Sequence, residues 1–179
     1  MLERVTNDMQ QRYWNMLVHL RYGIEYYGEH LRFCVSFDRY FKMIVAVFTA
    51  SSVASWGIWN SYTTIWAVIV ALGQLAVVIN EFLPYKNRII QIQGLKAILN
   101  RLFDQAENQW LDVSKGSLTE DQINDLTTEF RQKWNQAEEK FIKDDYLSEP
   151  KWLTKRAQKR MLRYFEFYYG GKIDETKHT

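Results

Sequence analysis

The fold turns on residues 43–80, MIVAVFTASSVASWGIWNSYTTIWAVIVALGQLAVVIN, which contain no Lys, Arg, Asp, Glu or His. A helix that crosses a bilayer needs roughly 17–25 mostly apolar residues, so a charge-free window of this length predicts two minimal spans joined by a short turn. The turn falls at Trp59-Asn60-Ser61-Tyr62, where polar turn formers sit among Trp56, Trp59, Tyr62 and Trp66, aromatics of the kind that collect at membrane interfaces. The expected spans are 41–59 and 63–82. Arg39 and Lys42 precede the first, Lys86 and Arg88 follow the second, and the turn carries no basic residue, so the positive-inside rule places both termini in the cytoplasm. The competing reading is a buried hairpin inside a soluble helical bundle, which would lack a polar face over its whole length.

Small residues mark one face of each expected span. Ala46, Ala50 and Ala54 recur every four residues, as do Ser51 and Ser55, and Ala67 and Ala71 repeat the pattern in the second span. Such spacing lets helix backbones approach closely in lipid. Gln74 is the polar exception, at the expected depth of Thr49 and Ser52. It fits either one interhelical hydrogen bond that fixes the hairpin or a ring of Gln74 side chains lining a pore in an oligomer.

Averages conceal this stretch. The 179-residue chain has a mean hydropathy of −0.37 and 25% charged residues because its charges avoid the centre. Aromatics make up 16% of the chain, enough large side chains for burial to offset ordering entropy, which argues against disorder. A net charge of +2 and a pI near 8.5 do not by themselves imply nucleic acid. Cys34 is the sole cysteine, which excludes an intramolecular disulfide and a thiolate zinc site. The Met1-Leu2-Glu3-Arg4 start lacks the order of a cleaved signal peptide.

The flanks read as amphipathic helices. Before the apolar window, Tyr13, Leu17, Leu20, Ile24, Tyr27, Leu31 and Cys34 alternate spacings of four and three, a heptad seam on a helix expected to run straight into the first span. Gly23 and Gly28 weaken that helix and point to close packing or a bend. His19 and His30 are too far apart to chelate and read as surface or seam residues. After Pro84, Ile92, Leu95, Leu99, Leu102 and Ala106 resume the seam as far as Trp110, giving a helix able to pair with the first. Ser114-Lys115-Gly116-Ser117 is a turn, and Thr119 to Gln122 reads as a capping box that opens a helix with Ile123, Leu126, Phe130, Trp134, Ala137 and Phe141 on one face.

The last helix, roughly 151–169 before Gly170-Gly171, carries Lys151, Lys155, Arg156, Lys159, Arg160 and Arg163 with no acid between them. Trp152, Leu153, Ala157, Met161, Tyr164, Phe165 and Tyr168 form its apolar side. Lys155, Arg156, Lys159, Arg160 and Arg163 are therefore the candidate contacts, to an anionic leaflet or acidic partner protein, or to nucleic acid or nucleotide phosphates. The alternative is a solvated face.

No glycine-rich phosphate loop, HExxH, GxSxG or Cys/His cluster is present, and Asp104, Glu107, Asp112, Glu120 and Asp121 are spread in the manner of solvated faces. No enzyme, cofactor or metal is expected. The fold expected is an all-α membrane protein: a two-helix transmembrane hairpin with amphipathic, coiled-coil-like cytoplasmic helices. Its parts are an N-terminal helix at 1–40, the hairpin at 41–83, a cytoplasmic helical hairpin at 84–145, and the basic helix with a polar tail at 146–179.

Over roughly residues 10–145, this order of elements, with the Phe82-Leu83-Pro84-Tyr85 exit and a helix ending in Trp110-Leu111-Asp112 before a Gly-Ser turn, resembles the SLATT-type two-transmembrane effectors of bacterial conflict systems. The resemblance implies a membrane effector that damages membrane integrity, and the small-residue spans, Gln74 and the two heptad seams add the expectation that it oligomerises in the inner membrane, which it crosses more than once. It also implies activation by a signalling enzyme resembling a nucleotide cyclase or a reverse transcriptase. The competing function is a membrane-anchored helical scaffold or regulatory subunit that recruits a cytoplasmic partner. Substrate transport is a weaker third, since the spans hold no charge to coordinate a solute.

Overall fold

The computed structural model describes residues 2–54, 63–82, 85–142 and 150–170. Within them the chain is five helices: α1 (Leu2–Ala54), α2 (Thr63–Phe82), α3 (Tyr85–Ser114), α4 (Glu120–Phe141) and α5 (Lys151–Tyr169). They belong to two compact units, one of Met1–Leu31 with Gln91–Thr179 and the other of Arg32–Ile90. This grouping joins about the first sixth of the chain to its last half.

In the first unit the heptad seams of α1 and α3 meet. Tyr13, Leu17, Leu20 and Ile24 pack with Ile92, Leu95, Leu99, Leu102 and Ala106, all buried. Tyr13 fixes the register: its hydroxyl donates to the Ala106 carbonyl at 3.0 Å, and one turn earlier the Gln10 amide donates to the Val113 carbonyl at 2.8 Å. Early residues of α1 thus meet late residues of α3, and the pair is antiparallel. Buried backbone carbonyls that accept such bonds restrict sliding, because a shifted register would leave both partners unpaired.

Helix α4 packs on this pair. Its start is set by the expected capping box: the Thr119 side chain accepts from the Gln122 N–H, and the Gln122 side chain accepts from the Thr119 N–H. Ile123, Thr127, Phe130, Trp134 and Ala137 form its inward stripe, and the Thr127 hydroxyl is satisfied by the Ile123 carbonyl at 2.7 Å. Arg12 bonds Asn124 and Tyr27 bonds Glu138, so α4 runs parallel to α1. Of the three glycines in α1 and α3, Gly23 and Gly94 mark the closest approaches. A Cβ at Gly23 would overlap the Trp134 ring, and one at Gly94 would lie 2.5 Å from the Phe141 ring.

Helix α5 packs on the same pair through Ala157, Met161 and Phe165, with Leu153 also buried, and runs antiparallel to α1, since Trp14 meets Phe165 and Tyr169 edge-on whereas Glu29 pairs with Arg160. It ends at Gly170, whose φ of 62° is the left-handed conformation that glycine tolerates best.

The second unit corrects the membrane reading. Among the described residues, no helix is long and apolar enough to cross a membrane. The stretch expected as a first span is the end of the 53-residue α1, where Asp38, Arg39 and Lys42 leave twelve charge-free residues, 43–54, in the described helix. In α2, Gln74 splits the apolar run into 65–73 and 75–79, with Thr63 and Thr64 before it and Asn80 and Glu81 after it. The transmembrane hairpin, the pore built on it, and the multi-pass inner-membrane placement with cytoplasmic termini fall with this finding. The proposed turn at 59–62 lies outside the described residues.

What remains in the second unit is a helical segment that turns apolar side chains outward. Met43, Ile44 and Val47 on α1, and Val68, Leu72, Leu75, Val77 and Val78 on α2, are exposed. Cys34 is buried, and burial pushes its thiol up, against a smaller lowering from the Arg88 charge. A thiol held in its neutral form is a poor nucleophile.

Candidate docking face of the last helix

Helix α5 separates its two sides cleanly. Its apolar stripe recurs every four residues at Leu153, Ala157, Met161 and Phe165 and is fully buried, the last three in one core with the seams of α1 and α3. Lys151, Lys155, Arg156, Lys159, Arg160 and Arg163 are all exposed, but they are not equivalent.

Arg160 is drawn into the bundle. Its Nε lies 2.5 Å from Oε1 of Glu29, whose side chain is 6% exposed. A nearly buried carboxylate needs such a partner, because an unpaired charge removed from water is costly. Arg156 stands over the Trp152 ring, 5.3 Å from its centroid, an attraction worth about 0.5–1 kcal/mol at exposed sites. Lys155, Lys159 and Arg163 share an outward ridge and, with Gln158, Leu162 and Glu166, line a shallow groove of about 400 Å³. The candidate contacts therefore divide: Lys155, Lys159 and Arg163 form a surface, Arg156 caps an aromatic ring, and Arg160 anchors the helix.

Sequence reasoning missed the polar cluster beneath α5. Glu107, read as part of a solvated face, accepts from the Tyr164 hydroxyl at 2.7 Å and from the Tyr169 hydroxyl at 2.9 Å, both on Oε1. Arg21 lies with its guanidinium carbon 3.8 Å from the Tyr164 ring centroid and 5.4 Å from that of Phe103, and it also pairs with Glu25 at 2.8 Å. Burial first, and the bond to Glu107 second, push both tyrosine hydroxyls well above their usual range, so they remain donors. The partners are 57 and 62 residues apart in sequence, and periodicity carries no signal over such separations.

The remaining candidate residues stay dispersed. Gln74 is exposed on α2 in the second unit. The side chains of Ala50, Ser51 and Ala54, and the whole of Ser55, lie outside the described residues. Their expected joint role depended on the membrane hairpin, which is corrected above. A second groove of about 600 Å³ runs between α1 and α4, lined by residues that include His19, Phe130, Arg131 and Trp134. His19 is exposed and packs beside Trp134, with ring centroids 5.5 Å apart. Among the described residues no group of three His, Cys, Asp or Glu side chains could hold a metal ion. No family model, curated protein or solved structure matches this chain.

Proposed function

We propose that this protein is a non-enzymatic helical scaffold that recruits an acidic protein partner through the outward ridge of α5. The observation that carries this reading is the division of labour on that helix, where Arg160 and the tyrosines fasten it down while Lys155, Lys159 and Arg163 are left facing outward. Opposing charge on a rigid helix steers encounter and fixes register more than it adds raw affinity, which suits a recruiting surface.

A protein partner is favoured over nucleic acid because the groove includes Leu162, an apolar contact that suits a side chain better than a phosphate backbone. A ridge that offers three closely spaced cations would release few counterions. The test is fluorescence anisotropy of the full chain with a labelled glutamate-rich peptide, a neutral peptide of equal length and a short DNA duplex. Binding should be confined to the acidic peptide and should be lost when Lys155, Lys159 and Arg163 are changed together to Gln. Tighter binding of the duplex, or unchanged peptide binding by the triple variant, would refute the reading.

A further inference from the structure

The ridge on α5 has a complement on the same protein. On α4, Asp121, Asp125 and Glu129 recur every four residues and are exposed, and this side of the helix, continued by Gln132, Gln136 and Glu139, lies opposite the buried stripe of Ile123, Phe130, Trp134 and Ala137. On α5, Lys155, Lys159 and Arg163 recur every four residues opposite Leu153, Ala157, Met161 and Phe165. At a rise of 1.5 Å per residue both series step by about 6 Å, so three carboxylates and three cations share one repeat. Both ridges face away from the core of their own unit, so the α4 ridge of one molecule is open to the α5 ridge of another.

We infer that the acidic partner of the α5 ridge is the α4 ridge of a second copy of this chain, in a head-to-tail contact. This rests on the scaffold reading and names its partner. Two features of α5 and α4 favour it. The first turn of α5 contains Lys151 and no acid, so its N-terminal half opposes its own helix dipole and gains from a neighbouring carboxylate. Glu129, near the middle of α4, supplies that charge once the two helices lie antiparallel. With the helices antiparallel, Asp121 meets Arg163, Asp125 meets Lys159 and Glu129 meets Lys155. Glu129 gives up only an exposed pairing with Lys133, of a kind worth a few tenths of a kcal/mol. Because the two ridges are different surfaces, the contact is heterologous: each molecule uses α5 toward one neighbour and α4 toward the other, and the assembly grows as a chain unless its rotation closes a ring.

The test is sedimentation velocity of the nuclease-treated full chain over a range of concentrations at low and high salt. Species larger than the monomer should form at low salt and dissociate at high salt, where screening lengths are only a few Å. Changing Lys155, Lys159 and Arg163 to Glu, or Asp121, Asp125 and Glu129 to Lys, should each weaken self-association by on the order of a hundredfold, because like charges then face each other. Mixing the two triple variants should restore larger species, since each then presents the complement of the other. Circular dichroism identifies a variant that has lost its helices, and for that case the milder Lys159→Glu with Asp125→Lys pair serves the same comparison.

A parent monomeric at low salt, a mixture that fails to associate, or association that strengthens with salt would each overturn the inference, the last by assigning assembly to the apolar side chains of the second unit. So would larger species lost on nuclease treatment. A monomeric parent that still binds the glutamate-rich peptide through Lys155, Lys159 and Arg163 would reject the second copy while leaving the scaffold reading intact.

Discussion

Leu95, Leu99 and Ala106 in the first unit are completely shut from solvent, whereas Val68, Leu72, Leu75 and Val78 in the second each expose more than half their surface. The second unit is locally the more apolar of the two, so apolar content did not decide burial. Direction did. In α3, α4, α5 and the part of α1 before Arg32 the apolar residues lie in a seam with polar residues opposite, and a seam has one side to bury. In α2 apolar residues surround the axis, and such a helix has no preferred side. The same contrast explains why polar contacts in the first unit are specific. Tyr13 to Ala106, Tyr27 to Glu138 and Tyr164 to Glu107 each join the edge of one seam to another helix.

The sharpest way to break this comparison is to remove one large side chain from each unit. Phe103→Ala should cost about 3–5 kcal/mol, the usual cost of deleting a buried aromatic, whereas Leu72→Ala should lie within roughly 0.5 kcal/mol of the parent. Urea denaturation followed by the fluorescence of Trp14, Trp110 and Trp134 measures both. Equal losses would mean that the second unit has a core of its own at Leu72.

Gly23→Ala probes the close approach of α1 and α4. In an open helix this change would stabilise by up to about 1 kcal/mol, but at Gly23 the added methyl overlaps the Trp134 ring. Overpacking should dominate and destabilise by about 1–3 kcal/mol. A double-mutant cycle with Trp134→Leu should recover much of that loss, and full additivity would show that the two residues do not touch.

The tyrosine cluster sharpens the comparison through pH. Tyr164 and Tyr169 titrate above their ordinary value near 10 in the folded chain. The unfolded chain therefore releases these protons first, and their contribution to stability is intact below about pH 10 and declines as pH rises further. Denaturation midpoints between pH 8 and 11 should show the decline, and Tyr164→Phe with Tyr169→Phe should reduce it, leaving the share of Tyr13, whose hydroxyl burial also pushes up. Each replacement also removes a bond to a carboxylate, costing about 1–2 kcal/mol at neutral pH.

The smallest expected effect is at the start of α4. Thr119→Ala removes half of the capping box and should cost about 1 kcal/mol, while Thr119→Asn, another good cap, should cost less. Thermal melts compare the pair directly, and equal losses would mean that the hydroxyl does not cap the helix.

By itself the sequence determined the helices outside the central stretch, their buried faces and the start of α4, because these depend on neighbours three or four residues apart. Ile92, Leu95 and Leu99, and Leu153, Ala157 and Met161, could be assigned inward from spacing alone, and the basic ridge of α5 followed as their opposite side. Tertiary structure decided what spacing cannot express. It joined Met1–Leu31 to Gln91–Thr179, drew Glu107 out of an apparent solvated face to accept from two tyrosines, and took Arg160 from the basic set to pair with Glu29. The central stretch failed as a sequence argument for a related reason. Absence of charge records what 43–80 lacks, whereas a crossing requires one helix that is both long and apolar enough, and among the described residues none is.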